Sequence, residues 1–209
     1  MQKVRRVGIT GGLASGKSTV AGLLRNCLAT EYINADLVCR QLLEPGARGW
    51  KALQKIFGDR FFTTDGILDR VLFRGVLFED KDIRLQVNEL LHPLARQAIV
   101  AQMEALEKSS SKLDMILVEV PLLYEAGWEE IFHTVIVVYA DCATCLRRIM
   151  ERDGVDYKEA EAGFSSQKSL LEKVLKADHV IDNSGHMSQT YLQVMHLAKE
   201  LQAHGVEDI

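Results

Sequence analysis

One stretch near the N-terminus constrains the fold of this 209-residue chain more than any other. Residues 11–18 read GGLASGKS, which satisfies the pattern G-x-x-x-x-G-K-[ST]. An apolar run from Val7 to Thr10 precedes them, and a helical pattern begins near Lys17. A strand, a glycine-rich turn and a helix in this order are the context in which the pattern forms a phosphate-binding loop. The alternative is a chance glycine-rich turn, which the flanking strand and helix argue against.

The predicted loop would hold phosphate through its backbone. Glycines let consecutive N–H groups point into one concavity, and the following helix adds its free amides and positive dipole end. We expect Lys17 to reach the β- and γ-phosphates of ATP, and the Ser18 hydroxyl to coordinate a Mg²⁺ ion bridging them. The residues predicted to contact the nucleotide are Gly12, Leu13, Ala14, Ser15, Gly16, Lys17, Ser18 and Thr19.

Composition narrows the class of protein. With 47% hydrophobic and 26% charged residues, the chain can bury one good core. Its net charge of −4 argues against non-specific binding to nucleic acid or to an anionic membrane. No apolar run reaches the roughly 20 residues that span a bilayer, and residues 1–6 lead directly into the loop strand, so we predict a cytoplasmic protein.

The four cysteines do not form a disulfide pattern for such a chain. Cys27 and Cys39 lie in apolar, helix-like contexts and are predicted to be core residues. Cys142 and Cys145 form a single C-x-x-C. Without a second Cys or His pair, a zinc or redox role is the weaker interpretation.

Apolar runs alternate with helical patterns along the chain. This alternation predicts an α/β fold: an open, parallel, five-stranded sheet with helices on both faces. Residues 71–106 are almost wholly helical in pattern, so we expect a helical insertion over 66–108, with Pro93 breaking or restarting its helix. The predicted strands are 7–10, 31–36, 115–120 and 134–139, and residues 177–185 are predicted to form a short last strand and a turn.

Two carboxylates fall on predicted strands. Asp36 ends the second strand, and functional residues of parallel sheets gather at the carboxyl ends of strands, so it should project toward the γ-phosphate. An N-cap for a helix over 37–43 is the alternative, and both roles can coexist. Glu119 is the one charged residue in the run 115–120. A buried position near the metal and an exposed position at a sheet edge both stay open.

A cationic helical region follows the fourth strand, and we predict a lid over residues 142–176. Arginines after a strand of a nucleotide-binding sheet can fold over phosphates, where bidentate contacts suit a transferring phosphoryl group. Arg147 and Arg148 are the candidates, and the sequence does not choose between them. A solvated charged face is the alternative. His92, beside Pro93, is a further candidate, with capping or packing as its alternative.

A guanine-specific switch would show D-x-x-G after its third strand and N-K-x-D after a later strand. Here the corresponding residues 119–122 read EVPL and residues 138–141 read VYAD. A phosphate loop, a carboxylate after the second strand, a helical insertion and a cationic lid remain. Together they predict a small-molecule kinase.

Over nearly its whole length the chain resembles the dephospho-CoA kinase family. The loop alone is common to many families, but the ordered series of motifs is specific, especially HPL followed by VPLL. The matching segments are 10–12, 15–19, 34–36 with Arg40, 44–46, 91–94, 120–125, 148–153, Gln167, 177–178 and 181–183.

The resemblance implies a single P-loop kinase domain over 1–209, an acceptor-binding insertion and a small helical lid. It implies transfer of the ATP γ-phosphoryl group to the ribose 3′-hydroxyl of dephospho-CoA, with Asp36 as general base and Lys17, Mg²⁺ and a lid arginine stabilising the transferred charge. The oligomeric state stays open. The implied acceptor contacts, besides Asp36, are Arg40, His92, Pro121, Leu122 and Glu125.

The chain departs from the family pattern at two positions. Ala14 stands where glycine is usual and would be strained if its φ were positive. Gly163 stands where arginine is frequent, which shifts the predicted lid function to Arg147, Arg148 and Lys168. Two other functions stay open: a related kinase with a different acceptor, and a non-catalytic ATP-dependent binding module.

Overall fold

The chain divides into two compact units. The computed structural model describes residues 4–109, 113–164 and 169–203. We call Met1–Asn34 together with Met103–Ile209 the sheet unit, and Ala35–Gln102 the helical unit. The helical unit thus begins well before the insertion predicted at 66–108, whose acceptor-binding role stays a prediction.

All five strands lie in the sheet unit and form one parallel sheet, which confirms the predicted architecture. The strand order is β2-β3-β1-β4-β5. The loop strand β1 is therefore central, with β3 on one side and β4 on the other. The strands are β1 (Arg5–Gly11), β2 (Thr30–Asn34), β3 (Met115–Glu119), β4 (Thr134–Tyr139) and β5 (His179–Asp182).

Helices connect the strands. The first of them begins at Lys17, as the sequence pattern predicted. The helices are α1 (Lys17–Cys27), α2 (Ala35–Leu42), α3 (Arg48–Phe57), α4 (Arg70–Glu79), α5 (Lys81–Ser109), α6 (Cys142–Asp153), α7 (Tyr157–Phe164), α8 (Leu170–Val174) and α9 (Met187–Ala203).

The core of the sheet unit is built on alternation along its strands. Val7 and Ile9 point to the face covered by α1 and α9, in one cluster with Leu24 and Val194. Gly8 points to the other face, where an added Cβ would lie 2.9 Å from a methyl carbon of Leu123. Glycine at this position lets the chain after β3 pack directly on β1.

The last helix packs its apolar stripe on the sheet as the 3.6-residue spacing predicts. Val194, Ala198 and Leu201 are buried there. Tyr191 continues the same stripe in the sequence but is 46% exposed, so it lies outside the core. In the part of the chain that the structure describes, no helix combines the length and apolarity of a membrane span.

The helical unit has an apolar core of its own. Phe61 is fully buried and makes edge-to-face contacts with Phe57, at 5.2 Å between ring centroids, and with Phe73, at 5.1 Å. Asp69 caps α4 by accepting hydrogen bonds from the amides of Val71 and Leu72.

Pro93 does not break its helix, contrary to the prediction. It lies inside the 29-residue helix α5. Both Pro93 and Glu89, whose carbonyl loses its amide donor, are exposed, so water can bind the freed oxygen. Buried residues on both sides, Val87 and Ala95, keep the helix packed through the proline.

Candidate functional site

The loop after β1 has the backbone of a phosphate cradle. Gly16 precedes α1 with φ 90° and ψ 30°, in the left-handed region, and no side chain caps the helix. The first amides of an α-helix have no intrahelical acceptor, so those of Lys17, Ser18 and Thr19 are placed for an anion. The Lys17 Nζ lies 2.8 Å from the carbonyl oxygen of Gly12, within the same loop.

Ala14 has φ 57° and is the one non-glycine residue with positive φ among those the structure describes. A positive φ is the condition under which an alanine at this position is strained. Both Ala14 and Leu13 pack against a small cluster around Leu146 and Ile149 of α6. Ala14 therefore adopts the left-handed conformation that glycine usually adopts, and its apolar contacts with α6 stabilise it there.

Three side chains from later in the chain support the phosphate loop, two by direct hydrogen bonds and the third through one of those two. We call Arg148, Asn183 and Thr190 the loop brace. Asn183, 3% exposed, donates from Nδ2 to the Ser15 carbonyl at 2.8 Å. Its Oδ1 accepts from the Thr190 hydroxyl at 2.9 Å. Arg148 donates to the Asn183 carbonyl at 2.8 Å and lies 3.4 Å from the carbonyl oxygens of Ala14 and Ser15.

The two arginine candidates of α6 lie in different surroundings. Arg148 contacts the loop, whereas Arg147 is 61% exposed and pairs with Glu151 one turn along the helix, at 3.1 Å. Such exposed pairs contribute little to stability. The structure thus brings Arg148 to the nucleotide loop and leaves Arg147 on a solvated face, as the alternative interpretation held.

Glu119 lies at the end of β3 and is buried, with 4% of its side chain exposed. Because β3 pairs with β2 and β1, the alternative of a carboxylate exposed at a sheet edge is wrong. Its Oε1 accepts from the Ser18 hydroxyl at 2.8 Å, and its Oε2 accepts from the Tyr32 hydroxyl at 2.6 Å. Burial, followed by the bond to Glu119, raises the pKa of Tyr32 to about 12, so the phenol stays a donor.

The donor set around Glu119 fits a divalent cation. Both carboxylate oxygens are bound by neutral hydroxyl groups, and no lysine, arginine or histidine of the described residues pairs with Glu119. A buried anion without a cationic partner is costly unless a cation comes close. Ser18 itself is exposed and gives its proton to Glu119, which leaves its oxygen lone pairs for a metal ion.

Asp36 and Arg40 belong to the helical unit. The strand before them ends at Asn34, and Asp36 is the second residue of α2, not the end of a strand and not an N-cap. Helix formation from Ala35 explains the difference, since Ala35 and Val38 are buried on its inner face. Asp36 and Arg40 are one turn apart and both exposed, so they share one accessible face of α2.

His92 lies in the middle of α5, so the capping alternative is wrong. It is half-buried, and burial lowers the pKa of its imidazole. A neutral ring at physiological pH follows, able to donate from one nitrogen and accept at the other.

The segment Pro121–Glu125, which follows β3, is largely fixed in the sheet unit. Thr10 Oγ1 donates to the Pro121 carbonyl at 3.2 Å, and Tyr124 is buried, whereas Leu122 is 39% exposed. Glu125 lies 2.8 Å from the Nζ of Lys173, which is only 1% exposed. Glu125 is thus half of a buried ion pair, a contact the sequence did not predict.

The C-x-x-C pair lies in the first turn of α6. Asp141 caps this helix by accepting from the Thr144 amide at 2.8 Å. Cys142 is exposed and Cys145 is buried, and burial raises the pKa of the Cys145 thiol to about 11. A reactive thiolate is therefore disfavoured at Cys145. Within the described ranges, the Cys, His, Asp and Glu residues form no metal-binding group of three or more.

Sequence reasoning missed Tyr32, Lys173 and Thr190. Tyr32 lay in a segment assigned to a strand, Thr190 lay after the last predicted strand, and Lys173 lay in the charged helical region of the predicted lid, for which a solvated face was the alternative. Asn183 was quoted only as part of a family motif. The lid segment also includes Gln167 and Lys168, which lie outside the described residues.

Comparisons with known proteins give one consistent result. The family model described as dephospho-CoA kinase matches residues 5–189. The chain is 36% identical over 197 residues to a dephospho-CoA kinase of Geobacillus kaustophilus, covering 94% of this chain and 96% of that one.

Solved structures agree. A dephospho-CoA kinase from Campylobacter jejuni superimposes with a TM-score of 0.70 at 28% identity, covering 96% of this chain and 98% of that one. A shikimate kinase from Bacteroides thetaiotaomicron, at 15% identity and a TM-score of 0.54 over 96% and 99% of the two chains, shares the fold. The predictions of a P-loop kinase fold and of an ATP-dependent kinase are confirmed, and the chain belongs to the dephospho-CoA kinase family.

Proposed function

We propose that this chain transfers the γ-phosphoryl group of ATP to the ribose 3′-hydroxyl of dephospho-CoA, giving CoA and ADP in the final step of CoA synthesis. The observation that carries the proposal is the phosphate-loop geometry in a chain that matches the family over residues 5–189. Neither a related kinase nor a non-catalytic module is favoured by any contact described above.

The nucleotide end of the site would be formed by Gly12 to Thr19. The amides at the start of α1 would bind the β- and γ-phosphates. Lys17 would exchange part of its contact with the Gly12 carbonyl for phosphate oxygens, which carry full negative charge and bind an ammonium more strongly. Arg148, already at the loop, is the better candidate for stabilising the transferred charge. A role of Arg147 in stabilising that charge is supported only by the sequence pattern.

Ser18 and Glu119 would hold the magnesium ion. Mg²⁺ prefers oxygen ligands, and in kinases it is bound by one or two protein groups together with the phosphates. The Ser18 hydroxyl would be a ligand, and the Glu119 carboxylate would orient that hydroxyl and supply negative charge beside it. When bound, the ion would neutralise charge that develops on the phosphate oxygens.

The acceptor end would draw on Asp36 as general base for the 3′-hydroxyl. Asp36 and Arg40 lie on one exposed face of α2, so a molecule bound there would meet a carboxylate and a guanidinium together. His92, Pro121 and Leu122 are proposed as further contacts. Glu125 would act through its ion pair with Lys173 rather than as a free carboxylate.

The first test is ADP release from Mg-ATP with and without dephospho-CoA, for the wild type, Asp36→Asn and the control Asp65→Asn. Asp65 is an exposed carboxylate in a turn of the helical unit. We expect acceptor-dependent release that falls by about 10²- to 10⁴-fold in Asp36→Asn, because general-base catalysis contributes that much. ATP binding and the control should be unchanged.

Absence of stimulation by dephospho-CoA would rule out this acceptor, and an acceptor panel of nucleosides and sugar acids would then identify a related kinase. Full activity of Asp36→Asn would rule out the assigned base. The cytoplasmic location and the lack of nucleic-acid or membrane partners stay predictions from composition.

A further inference from the structure

Tyr32 is bonded to the carboxylate beside the phosphate loop, although no motif includes it. It lies on β2, next to β3 in the sheet, and its hydroxyl donates to Glu119 Oε2 at 2.6 Å. The other oxygen of the same carboxylate accepts from Ser18 at 2.8 Å. Each oxygen of Glu119 thus accepts one hydrogen bond, from Tyr32 on β2 and from Ser18 of the phosphate-loop motif.

The direction of the Tyr32 hydroxyl is fixed from both sides. Asn34 Nδ2 donates to the phenol oxygen at 3.3 Å, so the phenol proton is left for Glu119. The Arg25 guanidinium carbon lies 4.8 Å from the centre of the Tyr32 ring, and the ring packs on the core cluster of the sheet unit. Tyr32 is therefore a rigid donor that can hold a buried carboxylate in one orientation.

Loss of this donor would free the carboxylate to turn. Glu119 is 4% exposed, and each of its oxygens has one side-chain donor among the described residues. A buried anionic oxygen without a donor is costly, so the carboxylate would rotate and compete for the Ser18 proton with altered geometry. The oxygen of Ser18 would then no longer be presented in one direction.

We propose that Tyr32 is a positioning residue for the divalent cation that accompanies the nucleotide: by holding Glu119 against Ser18, it sets the affinity of the loop for Mg²⁺. The inference rests on the proposed function for the identity of the ion. It assigns Tyr32 no contact with the nucleotide or the acceptor.

Tyr32→Phe tests the proposal, with Tyr191→Phe as the matched control. Phenylalanine keeps the ring that packs on the core and beneath Arg25, and Tyr191 is a partly exposed tyrosine of α9. The binding of ATP is measured by calorimetry, first in EDTA and then against Mg²⁺ concentration. We expect Tyr32→Phe to need about tenfold more Mg²⁺ for half-maximal enhancement of binding, since residues that orient metal ligands contribute on this scale. Binding in EDTA should match that of the wild type.

The same titration in a Glu119→Gln background separates positioning from packing. If Tyr32 acts through Glu119, Tyr32→Phe adds little to the Mg²⁺ requirement of Glu119→Gln. Equal shifts in both backgrounds, or a loss of ATP binding in EDTA alone, would overturn the proposal.

These binding measurements do not depend on the acceptor. A protein that shows the Mg²⁺ shift but no ADP release with dephospho-CoA would support the role of Tyr32 while refuting the proposed reaction. A wild type whose ATP binding does not respond to Mg²⁺ would overturn the role of Tyr32.

Discussion

The phosphate loop and the segment Pro121–Glu125 follow neighbouring strands of one sheet, yet they are held in different ways. The loop is fixed through its carbonyls: those of Ala14 and Ser15 accept from Arg148 and Asn183, and Thr190 in turn donates to Asn183, while the first amides of α1 have no intrahelical acceptor. The segment after β3 is fixed through its side chains, by the burial of Tyr124 and by the pair of Glu125 with Lys173.

The difference shows what each region needs. A cradle that binds an anion must keep its N–H groups free, so only carbonyls remain for attachment to the rest of the unit. The segment after β3 has no such demand on its backbone and can be anchored by charge and apolar contact. Substitutions should therefore change nucleotide affinity in the loop and folding free energy at the Glu125–Lys173 pair.

Gly16→Ala should have the largest effect on the loop. Gly16 has φ 90°, and a Cβ there would clash with Asn183 Nδ2. We expect ATP affinity to fall by about a hundredfold or more, because left-handed strain and displacement of the brace each cost of order 1–3 kcal/mol. Gly22→Ala is the control, since nothing lies within 4 Å of its added Cβ in α1. Wild-type ATP binding by Gly16→Ala would show that the brace is dispensable.

Lys173→Met should have the largest effect on stability. It leaves Glu125 without its buried lysine, and breaking a buried ion pair costs about 3–5 kcal/mol. Urea unfolding should show this loss, whereas Arg147→Ala, which removes an exposed pair, should cost less than about 1 kcal/mol.

The double variant Lys173→Met with Glu125→Leu sharpens the result. It should recover much of the lost stability, because apolar pairs of similar volume replace buried ion pairs well. If the recovered protein has a raised KM for dephospho-CoA, Glu125 also serves the acceptor. No loss on Lys173→Met would mean that the pair is not a structural anchor.

Arg148→Ala should weaken ATP binding by about tenfold, since hydrogen bonds from a charged donor contribute about 1.5–3 kcal/mol. Arg147→Ala is the matched control one residue away, with its side chain in solvent. Arg148→Lys should recover only part of the affinity, because an ammonium cannot serve three carbonyls from one planar group. Equal effects of the two alanine variants would contradict the assignment of Arg148 to the loop.

The sequence predicted the loop, the five strands and the kinase class because these depend on local pattern. Glycine and lysine spacing, apolar runs and helical periodicity are all visible within a few residues. The brace is not visible in this way, since Asn183 and Thr190 lie more than 160 residues from Ser15 along the chain. Their role follows from where β5 ends, which only the sheet order decides.

Polar residues were the hardest to predict, since their role depends on a partner. Lys173 looked like a solvated charge until its buried carboxylate partner was known, and Glu119 stayed ambiguous until β3 was placed inside the sheet. Pro93 was misjudged for a related reason. The cost of proline in a helix depends on whether the freed carbonyl can reach water, and this depends on the packing of α5.

Ala14→Gly should change the free energy of unfolding least of these variants. The direction of that change shows whether Ala14 is strained. A left-handed alanine costs about 1–2 kcal/mol, whereas glycine has no such cost but loses about 0.5–1 kcal/mol more conformational entropy on folding. The net change should be a stabilisation of up to about 1 kcal/mol, or a few degrees in Tm.

Ala101→Gly, at an exposed position inside α5, should instead destabilise by about 1 kcal/mol, because glycine there has only its entropic cost. The difference between the two variants measures the strain held at Ala14. Equal destabilisation by both would mean that the loop does not hold Ala14 in the left-handed region, and the packing of Ala14 on the α6 cluster would then have no strain to offset.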